Sequence, residues 1–211
     1  MRKMSAFAFA AFSVLAATPM VAQAPKGWML RADRSTAASD PDAAGSIKFM
    51  AMGAGFHAIT PQAAVFWNPG NTVTGNYTLK GTFTLVRPSS HTNYYGLVFG
   101  GQSLEHSGQQ YLYFTVAQDG SWLVKRREGD VNTQTVAQQG SPVVKRPDAT
   151  GKSINALEVR VMAGKIDYLV NGTVVHSTPR TGLTAKTDGI YGIRINHVLD
   201  VIVEGLSVTK Q

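Results

Sequence analysis

Residues 155–177 read NALEVRVMAGKIDYLVNGTVVHS, and this stretch indicates the class of fold. Apolar and polar residues alternate from Ala156 to Met162, which is the period-two pattern of a half-buried strand. Asn171-Gly172 separates two further apolar-rich runs. Asn-Gly favours a tight hairpin turn because the central positions of such a turn require positive φ. The stretch therefore predicts three consecutive antiparallel strands.

The same signals extend to both sides of this stretch. Asp119-Gly120 lies between two alternating runs and predicts another hairpin. No segment shows helical periodicity over three turns, and many short strands with frequent turns are typical of a β-sandwich or barrel. The predicted strands are 46–52, 56–60, 63–67, 76–86, 94–100, 110–118, 121–127, 132–138, 155–162, 165–170, 173–177, 189–195 and 200–209.

Three further motifs carry a resemblance to a known superfamily. YYGLVFGG begins at Tyr94, YLYFTVAQDGSWLVKRREG begins at Tyr111, and a terminal strand ends in Glu204–Val208. Together with the three strands predicted in residues 155–177, these motifs resemble the concanavalin A-like lectin/glucanase jelly roll over residues 45–209. The similarity is greatest to laminin-G-like domains and to bacterial exported domains of the 3-keto-disaccharide hydrolase type. The resemblance implies an all-β, two-sheet antiparallel jelly-roll sandwich that binds sugars on a concave sheet face.

The N-terminus has the three parts of a secretory signal peptide. Arg2 and Lys3 precede an uncharged apolar run from Ala6 to Ala17, and Ala22-Gln23-Ala24 offers small residues for cleavage. We therefore expect residues 1–24 to be a signal peptide and residues 25–44 to be a polar, loop-like segment. Residues 45–211 would then form a single β-sandwich domain.

The composition indicates where the protein is located in or outside the cell and excludes several classes of catalytic and metal site. The 211 residues include no cysteine, which excludes disulfides, thiol catalysis and Cys-ligated metals. An exported, cysteine-free chain fits a bacterial periplasm or growth medium, so we expect a secreted or periplasmic protein. No second apolar run is long enough to predict a membrane span. The net charge of +7 is compatible with an anionic partner, but no nucleic-acid-binding module is recognised.

No catalytic motif is evident, and the catalytic residues stay unknown. The glucanases of this superfamily carry E-x-D-x-x-E on one strand, whereas the nearest match, Glu128-Gly129-Asp130, lacks the last Glu and lies at a predicted turn. The histidines never pair at i+2 or i+4, so we expect no metal site and no cofactor. Asp40 and Asp42 could attract Ca²⁺, but no EF-hand spacing supports them. Asp200 and Glu204 could bind Ca²⁺ or act as an acid/base pair, but four residues of a strand separate their Cα atoms by about 13 Å.

The candidate binding residues fall in two groups. Arg194, Asn196 and His197 offer donors and acceptors suited to sugar hydroxyls or a carboxylate. We expect replacement of Arg194 by Ala to abolish glycan binding with little loss of melting temperature. A platform of aromatic and basic side chains could stack on a sugar ring; its candidates are Trp67, Tyr95, Tyr113, Trp122 and Arg126.

Three functions are compatible with these patterns. The sequence favours an exported carbohydrate-binding protein whose partner is a polysaccharide or oligosaccharide. An exported glycoside hydrolase of the 3-keto-disaccharide type and a structural envelope protein that binds other proteins are the alternatives.

Overall fold

The computed structural model describes residues 25–35 and 37–211, so the predicted signal peptide lies outside the described residues. Within them the chain forms fourteen β-strands and one short 3₁₀ turn, Gly182–Thr184. The strands are β1 (Met29–Asp33), β2 (Lys48–Met52), β3 (Gly55–Thr60), β4 (Ala63–Val73), β5 (Tyr77–Arg87), β6 (Tyr94–Gln102), β7 (Gln110–Ala117), β8 (Ser121–Glu128), β9 (Val131–Gly140), β10 (Ser153–Val161), β11 (Lys165–Val170), β12 (Thr173–Pro179), β13 (Gly189–Ile195) and β14 (Leu199–Lys210).

The strands form two seven-stranded sheets. The order in the first sheet is β1-β4-β13-β6-β7-β8-β9, and the order in the second is β12-β11-β10-β5-β14-β3-β2. Within each sheet, every pair of neighbouring strands is antiparallel. The predicted all-β, two-sheet antiparallel sandwich is confirmed.

Tight turns join neighbouring strands where the sequence predicted them. Gly120 has φ +84° between β7 and β8. Asn171 and Gly172 have φ +50° and +82° between β11 and β12. These left-handed values are the reason that Asp-Gly and Asn-Gly stand at these points. Glu128 ends β8 and Val131 begins β9, so the Glu128-Gly129-Asp130 segment is indeed at a hairpin turn.

Two apolar clusters hold the sandwich together. The larger lies between the sheets and includes Phe83, Tyr95, Phe114, Trp122 and other buried side chains. The smaller lies on the opposite face of the first sheet, because alternate residues of a strand point to opposite faces. This second buried face is what supports a pocket on the outside of the sheet.

One strand lies where the sequence predicted a loop. β1 falls inside the 25–44 segment and pairs with β4, from Met29 opposite Trp67 to Asp33 opposite Ala63. It is an edge strand whose residues are partly or fully exposed, so it lacks the buried-exposed alternation that marks a strand in sequence. Its pairing depends on β4, which local sequence does not reveal.

No helix in the described part of the chain is long and apolar enough to cross a membrane.

Candidate functional site

An open pocket of about 450 Å³ lies on the outer face of the first sheet. Its floor is formed by Asp33 of β1, Arg127 of β8 and Arg194 of β13. Its rim includes Asn196 and His197, which follow β13. We call this the arginine pocket. The β1–β2 connection, residues 34–47, and the β8–β9 hairpin supply most of the remaining wall.

Arg194 is the centre of the floor. It pairs with Val65 on one side and with Gly96 on the other, so it lies in the middle of the sheet. The guanidinium lies 5.1 Å from the ring centroid of Tyr113, a cation–π contact.

Asp33 is the counter-ion of this arginine. Nη1 of Arg194 donates to Oδ2 of Asp33 and also to the hydroxyl oxygen of Tyr111, 2.7 Å away. Arg127 Nη2 lies 3.5 Å from Oδ1 of the same carboxylate. The side chains of Asp33 and Arg194 are each only 7% exposed, so both charges are removed from water and neutralise each other.

The electrostatics keep this network charged. Burial by itself would raise the pKa of Asp33, but the charges of Arg194 and Arg127, with hydrogen bonds from Arg194 and Gln109, hold that pKa below its usual value. Burial would lower the pKa of Arg194, whereas its contacts with Tyr111, Tyr113 and Asp33 raise it. The floor therefore presents fixed donors to the pocket at neutral pH.

Three side chains from three connections converge at the rim. Nε2 of His91 and Nε2 of His197 lie 2.8 Å and 3.0 Å from Oδ1 of Asp40. The two Nε2 atoms are 3.1 Å apart. We call Asp40, His91 and His197 the histidine–aspartate cluster; these are residues that can hold a metal ion. Nδ1 of His197 faces Oδ1 of Asp42 at 3.1 Å.

The structure brings together one of the two predicted groups of binding residues. Arg194, Asn196 and His197 all line the arginine pocket. Arg194 is nevertheless almost fully buried and bound to Asp33, which the sequence did not indicate.

The predicted platform of aromatic and basic side chains is divided between the two faces of the first sheet. Tyr95 and Trp122 lie in the core between the sheets. Trp67 and Tyr113 lie on the outer face but are 1% and 5% exposed. Arg126 is 5% exposed, and its Nη2 lies 2.6 Å from Oε1 of Glu128. None of these five side chains lines the arginine pocket.

Sequence reasoning missed several residues of the site. Asp33 and Arg127 are not among the binding residues that the sequence predicts, and the spacing of His91 gives no sign of a histidine pair. Asp40 was noted only as part of an acidic pair. Asp33 and Arg194 are 161 positions apart, and no local pattern links residues at such a distance. The segment after β1 carries the one available signal, a cluster of aspartates close to an edge strand.

Asp200 and Glu204, the other acidic pair, do not form a joint site. Asp200 contacts Nε2 of His57 at 2.7 Å on the outer face of the second sheet. Glu204 is exposed, and the register of β14 shifts directly after it.

Comparison with known proteins gives no match to a family model or to a curated protein sequence. Solved structures do match. The carbohydrate-binding module CBM66 from Bacillus subtilis is similar with a TM-score of 0.62 and 8% identity, over 87% of this chain and 96% of that one. A GH16 protein from Bacteroides ovatus, in complex with a product, has a TM-score of 0.61 and 7% identity, over 90% and 97% of the two chains. The chain has the two-sheet jelly-roll fold of these proteins.

A third jelly roll agrees with this assignment. The carbohydrate recognition domain of Emp47p has a TM-score of 0.52 and 10% identity, over 88% of this chain and 89% of that one. Identities this low establish the fold alone. The nearer resemblance to laminin-G-like and 3-keto-disaccharide hydrolase domains stays a prediction.

Proposed function

We propose that this jelly roll is an exported carbohydrate-binding protein that holds an oligosaccharide, or one end of a polysaccharide, in the arginine pocket. The observation that carries the proposal is the pocket itself. It is a polar cavity on one sheet face whose charged floor is fixed by a buried ion pair between Asp33 and Arg194. A preorganised set of donors and acceptors loses little entropy when a ligand binds.

The lining chemistry suits a molecule rich in hydroxyl groups. Arg34 and Arg127 supply donors, while Asn132 and Asn196 supply both donors and acceptors. The volume, about 450 Å³, lies in the range of small-molecule sites. Among the described lining residues the only ring is that of His197, so recognition would depend on hydrogen bonds and charge rather than on stacking.

Two further observations support the proposal. Structural neighbours include a carbohydrate-binding module and a carbohydrate recognition domain, both named for sugar binding. The basic, apolar and small-residue order of residues 1–24 supports export to the periplasm or the medium.

The test is glycan binding by pocket variants that keep the buried ion pair. The backbone of Asn196 holds its turn, since its N–H donates to the carbonyl of Tyr94 and its carbonyl accepts from Thr60. Asn196→Ala removes only the amide, and Arg34→Ala removes an exposed guanidinium. Asn76→Ala, at an exposed asparagine that does not line the pocket, is the matched control.

Wild-type protein is screened on neutral and acidic glycan arrays, and the hits are measured by calorimetry. Each pocket variant should weaken binding about tenfold, which corresponds to about 1.4 kcal/mol for one lost polar contact. The proposal is overturned if no glycan binds, or if Asn76→Ala weakens binding as much as Asn196→Ala. Product analysis of each hit by mass spectrometry shows whether binding is followed by hydrolysis.

A further inference from the structure

We propose that Asp40, His91 and His197 form a binding site for a single divalent transition-metal ion, for which Zn²⁺ is the best fit. The three ligand atoms form a triangle with sides of 2.8, 3.0 and 3.1 Å. In a tetrahedral zinc site with bonds of about 2.0–2.2 Å, neighbouring ligand atoms lie about 3.3 Å apart. An ion placed about 2.0 Å from all three atoms would stand about 1 Å outside their plane. The cluster therefore has the size of a zinc site with little adjustment.

The orientation of the rings also indicates a cation. Nδ1 of His197 lies 3.1 Å from Oδ1 of Asp42, and in the tautomer that donates from Nδ1 to this carboxylate, Nε2 presents its lone pair to the cluster. Nε2 of His91 lies 3.0 Å from the amide nitrogen of Asn93, and it accepts from this amide in the tautomer that carries its proton on Nδ1. Two lone pairs and a carboxylate oxygen thus face one point. In these tautomers a metal ion at that point removes the mutual repulsion of the three ligand atoms.

A supporting residue behind the ligands distinguishes this cluster from a chance contact. Metal-binding histidines commonly donate their second ring N–H to a carboxylate, which fixes the ring and raises its basicity. Asp42 plays this part for His197. Asp42 is itself held, because its Oδ2 accepts a hydrogen bond of 2.9 Å from the backbone N–H of Ser35.

The donor set selects the class of metal. Two imidazoles and one carboxylate suit zinc and its neighbours in the first transition row, whereas Ca²⁺ and Mg²⁺ prefer oxygen ligands. The three ligands come from the β1–β2, β5–β6 and β13–β14 connections, so the site forms only in the folded chain. The side chain of His197 is 5% exposed, while those of His91 and Asp40 are 44% and 50% exposed.

Three protein ligands leave a fourth position of the ion open. Asp40 and His197 also line the arginine pocket, so a ligand in that pocket lies beside the ion. The metal site rests on its own geometry and does not depend on what the pocket binds.

The experiment is metal binding by the tag-free chain after treatment with a chelator. Zn²⁺ is titrated by calorimetry, and Co²⁺ is used as a spectroscopic substitute whose visible absorption reports four-coordinate ligation. We expect one ion per chain. His91→Ala, at a half-exposed ligand, should fold normally and lower the affinity for Zn²⁺ by about tenfold or more. Asp42→Asn, which leaves all three ligands in place, should lower it about 10–100-fold.

The matched control is His106→Ala, since the side chain of His106 is 72% exposed and outside the cluster. It should bind Zn²⁺ and Co²⁺ like the wild type. The proposal is overturned if the chelator-treated wild type binds less than stoichiometric Zn²⁺. It is equally overturned if His106→Ala weakens binding as much as His91→Ala, because binding is then not at the cluster. Glycan binding is measured in a separate experiment, so a protein that binds no glycan would still test the metal site.

Discussion

Replacement of Arg194 by Ala should destabilise the protein severely, contrary to the expectation from sequence that the melting temperature would hardly change. The side chains of Arg194 and Asp33 are both 7% exposed. Removing the arginine leaves the carboxylate of Asp33 buried beside Tyr111, with only Arg127 at 3.5 Å as a cationic partner. A buried charge without its partner is among the most destabilising defects in a folded protein.

The magnitude follows from the burial of both partners. Breaking a buried pair by truncating one side costs about 3–5 kcal/mol. For a chain of this size each kcal/mol lowers the melting temperature by about 2–4 °C, so Arg194→Ala should lower it by about 6–20 °C. Arg127 retains part of the stabilisation of Asp33, which favours the lower half of that range.

The assay is thermal unfolding at pH 7, followed by circular dichroism and calorimetry. Arg194→Met keeps most of the apolar stem, and the double variant Asp33→Asn/Arg194→Met removes both charges. We expect the double variant to be more stable than Arg194→Met alone, because no uncompensated carboxylate remains. A loss of less than about 3 °C for Arg194→Ala, or a double variant less stable than both singles, would refute the reasoning.

Three other perturbations have defined outcomes. The pKa of Asp33 is lowered in the folded state, so its stabilisation is complete above the unfolded pKa and is lost as pH falls through the folded value. Asp33→Asn should therefore be less stable at pH 7, and its unfolding free energy should fall less between pH 5 and the acid limit, as measured by urea titration at each pH. Trp122→Ala should cost about 3–5 kcal/mol in urea unfolding, because the indole is 1% exposed and leaves a cavity. Gly120→Ala should lower the free energy of unfolding by about 1–2 kcal/mol because φ is +84° at this position. Gly140→Ala is the control, since a Cβ there meets open space and φ is not positive, and its melting temperature should be close to that of the wild type.

Much of the fold could be predicted because its signals are local. The alternation in β10 and the Asn171-Gly172 turn depend on neighbouring residues, and both occur as the sequence indicates. β1 could not be predicted in the same way. Its five residues carry no clear alternation, and what makes them a strand is the free edge of β4.

The site was predictable only in part. Arg194, Asn196 and His197 are neighbours in sequence, so their chemistry could be recognised together. Whether Arg194 faces ligand or counter-ion depends on Asp33, which arrives from the other end of the chain. The aromatic candidates failed to converge on the pocket for a different reason. Periodicity groups residues that share a face of one strand, but it does not show that Trp122 of β8 and Tyr113 of β7 point to opposite faces of the sheet, nor which face is covered.

The pairing of β1 with β4 also places residues that are synthesised at different times in one pocket. Asp33 and Arg194 are 161 residues apart, and at about 5–20 residues per second a ribosome needs about 8–32 s to synthesise the stretch between them. During that interval Asp33 has been synthesised but its partner Arg194 has not. The pocket can close only after β13 has been made. A chain stalled before residue 194 would lack Arg194 and all of β14, an interior strand of the second sheet, and would have no pocket.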